Sequence, residues 1–281
     1  MSSTVTTLKS AWAHASSKNA SLMAAGVAFY AFLALFPALI AGVLSYGLFA
    51  SAETVQRQSA QLTDAMPADA ASLVSGQLES LASTSSGSLG FGLVLAIVLA
   101  LYSASGGASN LLTALESVFG DSNERNFIQA KAVALGLTAA AVFFGIVVLT
   151  LVAVTPIVFD ALDLPGFARI LGELVRWVLL IGAVVVAVSA LFRVAHPAAA
   201  DEHRKLRLGV VVAAALFLVA SLGFSLYVDL FGSYAKTYGA LAGVVALLLW
   251  LWIGIYALLL GASVEVADEE ETEPVGGIDA D

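Results

Sequence analysis

Charged side chains interrupt this chain so rarely that six charge-free stretches divide it, at 19–52, 80–115, 132–159, 177–192, 208–228 and 237–264. A helix crosses the hydrocarbon core of a bilayer with about 20 mostly apolar residues. Five of the six stretches contain that many. The fourth, between Arg176 and Arg193, holds 16 residues, about 24 Å at helical rise, and its terminal arginines would snorkel their charge to the headgroups along apolar stems. The pattern predicts an all-α, polytopic membrane protein. Its six transmembrane helices are expected near 22–49, 89–112, 132–158, 176–193, 208–228 and 239–264, within a single membrane domain covering 1–264.

Between the spans the polar pattern changes. Leu8, Trp12, Ala15 and Asn19 recur at helical spacing with Lys9 and Lys18 at the flanks, which predicts a short interfacial helix with its Trp at headgroup level. Residues 50–88 form the longest polar connection. There Pro67 and Asp69 open a second amphipathic pattern through Leu73, Val74, Leu78 and Leu81, so this outer loop is expected to hold helices packed on the membrane face. Pro37 lies inside the first span, where it removes a donor to the carbonyl of Leu33 and predicts a kink.

Composition supports lipid as the solvent. Hydrophobic residues make up 60% and charged residues 12% of 281 positions, against roughly 25% charged in ordinary globular chains. There is no cysteine, which excludes disulfides, thiolate metal sites and cysteine nucleophiles. The net charge is −9, and eight of the 21 acidic residues lie from Glu265 to Asp281. That segment is expected to be a disordered, solvated acidic tail. Acidic bias in the loops is also consistent with a salty environment.

Orientation follows from the basic residues. Lys9, Lys18, Arg125, Lys131, Arg193, Arg204, Lys205 and Arg207 fall in one set of segments, and Arg57, Arg169, Arg176 and Lys236 in the opposite set. Eight against four predicts both termini on the cytoplasmic side of the inner (plasma) membrane.

Two helices carry stripes of small residues, which let helix backbones approach closely. One runs through Ser103, Gly107, Asn110, Ala114 and Ser117, the other through Gly239, Gly243, Trp250, Gly254 and Gly261. Both read first as packing seams. In the functional reading, Asn110 and Glu116 belong to a polar path, since an ionisable residue near the bilayer is a candidate site. The connection from Tyr227 and Asp229 to Tyr234, Lys236 and Tyr238 places an acid, a base and three phenols within twelve residues. It reads either as an aromatic belt with an interfacial ion pair or as a binding rim for a headgroup or polar solute.

Enzymatic chemistry finds little support. His14, His196 and His203 are scattered and lack carboxylates at metal-ligand spacing. No phosphate-cradling glycine loop followed by Lys-Ser or Lys-Thr occurs, which argues against an ATP-driven pump. A Gly-x-Ser-x-Gly elbow is also missing. Neither a cofactor nor a metal is expected.

These residues resemble the YihY/BrkB family of multi-pass inner-membrane proteins. The resemblance is carried by Ala220–Tyr227, by Tyr234 to Gly239, by Leu248 to Trp252 and by Leu260-Gly261-Ala262. Upstream, Phe29-Tyr30 with Leu35-Phe36-Pro37, then Tyr102 to Ser105 with Ala114-Leu115 and Arg125, look like its first two motifs. The chain departs from the family at Ser263, where an acidic residue is usual. Glu265 lies two positions on, roughly 200° around a helix, and is expected to serve a different face. Glu116 stands where Asn is common, and Tyr102 where Trp is common. The resemblance implies an envelope role or transport of a lipid or solute. It also brings the label ribonuclease BN, which looks like a misassignment.

The expected function is a membrane protein of the cell envelope that provides a non-ATP-driven path for a lipid-like or small polar substrate. The alternative is a non-transporting assembly or scaffold factor. Membrane lipids are the expected partners, with a homo-oligomer or envelope proteins beside them and no nucleic acid.

Overall fold

The computed structural model describes residues 2–49, 86–120, 125–155, 158–159, 166–197, 208–230 and 240–272. Among the described residues there are seven α-helices and no strand. They are α1 (Ser2–Ser17), α2 (Ala20–Phe49), α3 (Ser86–Phe119), α4 (Phe127–Leu149), α5 (Gly166–Ala195), α6 (Leu208–Leu230) and α7 (Ala240–Thr272). A π-helical turn, Thr150–Val154, continues α4. Four stretches are long and apolar enough to cross a bilayer: Phe127–Val152, Gly166–Ala195, Leu208–Val228 and Leu241–Glu271. Thr6–Ser17 and Ala20–Leu35, bent by 62° at their break, make a fifth if counted as one span. The protein is therefore an all-helical, multi-pass membrane protein, with four or five spans among the described residues.

Contacts divide the chain into two compact units, one of residues 1–32 with 107–281 and one of residues 33–106. In the second unit, α3 carries Ser105, whose hydroxyl donates to the carbonyl of Tyr102 at 2.7 Å. The first unit holds the main core. There α2 (Ala24, Val27, Ala28), α3 (Leu115, Val118, Phe119), α5 (Val188, Phe192), α6 (Ala213, Ala214) and α7 (Leu259, Ala262) pack together. Many of these residues are alanines, as close helix approach in lipid requires. The outward faces stay apolar, with Phe143, Val178, Val186 and Val219 all exposed. That arrangement suits hydrocarbon.

Local chemistry sets several helix ends. Gly120 terminates α3 at φ +78, the left-handed conformation in which glycine has no steric penalty. α4 starts with a reciprocal cap. The Asn126 side chain accepts from the Gln129 N–H at 2.9 Å, and the Gln129 side chain accepts from the Asn126 N–H at 3.3 Å. Asn19 forms the break between α1 and α2 at φ 54, and its carbonyl accepts from the N–H groups of Leu22 and Met23.

Three boundaries differ from the charge pattern. α5 has 30 residues where 16 to 18 were expected, because the helix continues through Arg169, Glu173 and Arg176. Glu173 and Arg176 neutralise each other across one turn at 2.9 Å. Residues 265–272, expected in the disordered acidic tail, belong instead to α7, which runs to Thr272 with Val264, Glu265 and Ala267 buried. Finally, α1 buries Thr7, Ala11 and Ala15, so that of the predicted stripe Ala15 is buried, while Thr7 and Ala11 take the places expected of Leu8 and Trp12. Ala11 packs on Val264 and Ala267 of α7, while Leu8 and Trp12 stay exposed at 49% and 59%. The small side chains face the neighbouring helix, and the large ones face outward. The helices expected in 50–85, residues 273–281 of the tail and the surroundings of Pro37 lie outside the described residues and side chains.

Candidate functional site

Glycines bring α6 and α7 together. A Cβ on Gly261 would collide with that of Ala213 and lie 2.7 Å from the carbonyl oxygen of Gly209. A Cβ on Gly209 would lie 2.5 Å from the carbonyl oxygen of Gly261. Only hydrogen fits at either position. Four residues beyond Gly261, and so on the same helix face, is Glu265. Its side chain is buried, and Oε2 accepts from the Gly209 N–H at 2.9 Å. The first N–H groups of a helix have no intrahelical partner, and a carboxylate beside them is favoured by the helix dipole. The buried acid thus completes the start of α6.

Polar contacts continue around this end of the bundle. Arg125, just ahead of α4, donates from Nη2 to the Val194 carbonyl of α5 at 2.6 Å. Its Nη1 lies 3.0 Å from Glu116 Oε1 of α3. His196 Nε2 stands 3.6 Å from Glu269 Oε2 of α7, and its ring stacks on Phe119 at 4.9 Å. Phe119 in turn meets Phe192 edge-on at 5.4 Å. His14 Nε2 faces the Val118 carbonyl at 2.8 Å, so this nitrogen carries the proton. The Thr7 hydroxyl donates to Glu271 Oε2 at 2.9 Å. The N-terminal helix, the ends of α3, α5 and α7 and the start of α6 therefore meet at one end. These are the segments to which the basic residues assign a common side.

Of the residues predicted as a polar path or binding rim, Asn110 and Glu116 fall on α3 and Asp229 on α6. Glu116 is drawn into the pair with Arg125, and Asn110 is half-buried in α3 two turns earlier. Asp229 is twenty positions from Gly209 on α6, about 30 Å along the helix and hence at the far end. Tyr234, Lys236, Tyr238 and Gly239 lie outside the described residues, and the side chain of Ser103 is also outside them. The seam glycines divide. A Cβ on Gly107 would lie 3.6 Å from the backbone of Ala31, and one on Gly254 would lie 3.1 Å from the Phe217 ring. Gly261 is the tight crossing. Gly243 is exposed with nothing within 4 Å, so it takes no part in the seam among the described residues.

Glu265 was not among the sequence-predicted site residues because it was assigned to the tail. Its spacing of four from Gly261 was the available signal. Two acid–base pairs, Glu116–Arg125 and His196–Glu269, stand at this end. Among the described residues, no group of three or more His, Asp or Glu could hold a metal ion.

The Glu116–Arg125 contact can be isolated by a double-mutant cycle. Arg125→Met also loses the Val194 carbonyl contact, so it should destabilise more than Glu116→Gln. The pairwise coupling should be about 0.5–1 kcal/mol for this partly exposed pair. Thermal unfolding in detergent measures both, and equal effects of the two single changes would refute the role given to Val194.

Comparison with known proteins adds the wider context. The family described as "Virulence factor BrkB" matches residues 11–279. The ribonuclease-like protein YfkH of Bacillus subtilis is 29% identical over 264 residues, covering 85% of this chain and 86% of that protein. A UPF0761 membrane protein of Tolumonas auensis is 49% identical over 55 residues, or 20% of this chain and 18% of that protein. Another from Aeromonas salmonicida is 40% identical over 68 residues, covering 24% and 23% respectively. No solved structure matches the chain.

Proposed function

This chain belongs to the virulence factor BrkB family, and from that premise we propose a six-span protein of the inner membrane that passes a lipid-like or small polar substrate without ATP. α2 and α3 supply the two spans beyond the four counted above, since they lie where the first two charge-free stretches fall. The excess of basic residues on their shared side supports cytoplasmic termini.

The observation that carries the transport reading is the construction of the terminus-bearing end. The α6–α7 crossing at Gly209 and Gly261 is backbone against backbone and cannot spread without losing packing. Around it, the contacts Thr7–Glu271, His196–Glu269 and Glu116–Arg125 are partly exposed side-chain pairs. Such pairs are individually weak and can break and re-form. A fixed pivot ringed by reversible contacts suits a pathway closed at the cytoplasmic side.

A chain without cysteine permits a clean test. With Thr7→Cys and Glu271→Cys in one protein, oxidation should stop flux of fluorescent phospholipids or metabolites across proteoliposomes, and reductant should restore it. Absence of any flux in the reduced protein would refute the reading. It would favour instead a non-transporting envelope assembly or scaffold factor. One observation favours that second reading: a Cβ on Gly136, Gly145, Gly182 or Gly223 would meet nothing within 4 Å among the described residues, which leaves small-residue surfaces for partner helices. Catalysis is not part of the proposal. The ribonuclease-like name belongs to YfkH.

A further inference from the structure

α3 turns polar groups outward where the other helices present apolar ones. On α4, α5 and α6 the outward positions include Phe143, Val178, Val186 and Val219. On α3 the core-facing side holds Ala114, Leu115 and Val118. The side turned away from them runs through Gly106, Asn110, Thr113 and Ser117, at spacings of four, three and four. Thr113 and Ser117 are exposed, and Asn110 is half-buried. A Cβ on Gly106 would meet nothing within 4 Å, so this side of the helix is open.

The amide of Asn110 decides what this side requires. It lies six residues before Glu116, about 9 Å deeper along the helix from the terminus-bearing end. The hydroxyls of Thr113 and Ser117 can turn back onto carbonyls of their own helix. An amide carries both donor hydrogens and acceptor lone pairs, and that of Asn110 makes no side-chain hydrogen bond among the described residues. Hydrocarbon offers it no partner, and a polar group left so is costly. Copies of one chain insert with one orientation, so a two-fold axis along the membrane normal sets each residue beside its counterpart at equal depth. An amide is complementary to itself, and the hydrogen at Gly106 lets two backbones come close. We propose that two copies of this chain associate in the membrane through this side of α3, with the two Asn110 amides bonded to each other at its centre. The inference rests on the six-span reading, in which α3 crosses the bilayer, and not on transport.

Cross-linking of the full chain in proteoliposomes at high lipid dilution tests it, since no native cysteine interferes. Thr113→Cys should form a disulfide-linked dimer under a membrane-permeant oxidant. Val219→Cys, exposed on α6, should not. Adding Asn110→Leu to Thr113→Cys should raise the protein-to-lipid ratio needed for half cross-linking at least about threefold, the worth of one hydrogen bond between helices in lipid. Adding Asn110→Gln, which keeps an amide, should give a value between the two. Asn110→Leu by itself should unfold in detergent no earlier than the wild type, which separates lost pairing from lost folding. Equal cross-linking at positions 113 and 219, or an unchanged ratio in Asn110→Leu, would overturn the proposal. A maleimide that cannot cross the bilayer distinguishes this failure from failure of the six-span reading. Thr113→Cys that is neither cross-linked nor labelled overturns the pairing alone, whereas labelling puts this part of α3 in water and removes its span as well.

Discussion

Gly261→Ala is expected to be among the most damaging single-methyl additions in this protein. The new Cβ would collide with Ala213 and press on the Gly209 carbonyl, and neither partner is the free end of a flexible side chain. Overpacking a well-filled interior costs about 1–3 kcal/mol, and a backbone neighbour puts this site at the upper end. Thermal unfolding in detergent should show the loss together with a broadened gel-filtration peak. Gly243→Ala is the control, being on the same helix but exposed and open. Alanine favours an exposed helix interior by about 1 kcal/mol, so that variant should match or exceed the wild type. Similar losses at both positions would sink the claim that the crossing at Gly261 is special.

The second large effect is expected at Glu265. Removal of its carboxylate in Glu265→Ala leaves the Gly209 N–H without a partner in a buried place. A hydrogen bond to a charged group contributes about 1.5–3 kcal/mol, and a loss of that size is predicted. Glu265→Gln keeps an acceptor oxygen and gives up the charge facing the start of α6, for which about 1 kcal/mol is expected. The order wild type, Gln, Ala is the signature. If the Ala variant unfolds at the wild-type temperature, the carboxylate does not secure the start of α6.

Much of the helical architecture was legible in the spacing of charges, for a simple reason. A charge at bilayer depth is costly, so charge-free stretches report solvent. They do not report where a helix stops. α5 starts at Gly166 and not near Arg176 because Glu173 and Arg176 neutralise each other within its early turns. α7 continues past Glu265 because Gly209 and α1 hold it there, and contacts at such sequence separation leave no local trace. The same limit hid the site. Glu116 and Arg125 were each visible, whereas their pairing depends on how α3 and α4 are brought together.

The Thr7–Glu271 contact joins residues 264 positions apart, and this bears on biogenesis. Ribosomes add roughly 5–20 residues per second, so the first helix emerges roughly 13–50 s before its docking partner exists. During that interval Ala11, which packs on Val264 and Ala267 in the finished protein, has nowhere to dock. The face of α1 that carries Ala11 is consequently among the last to reach its native place.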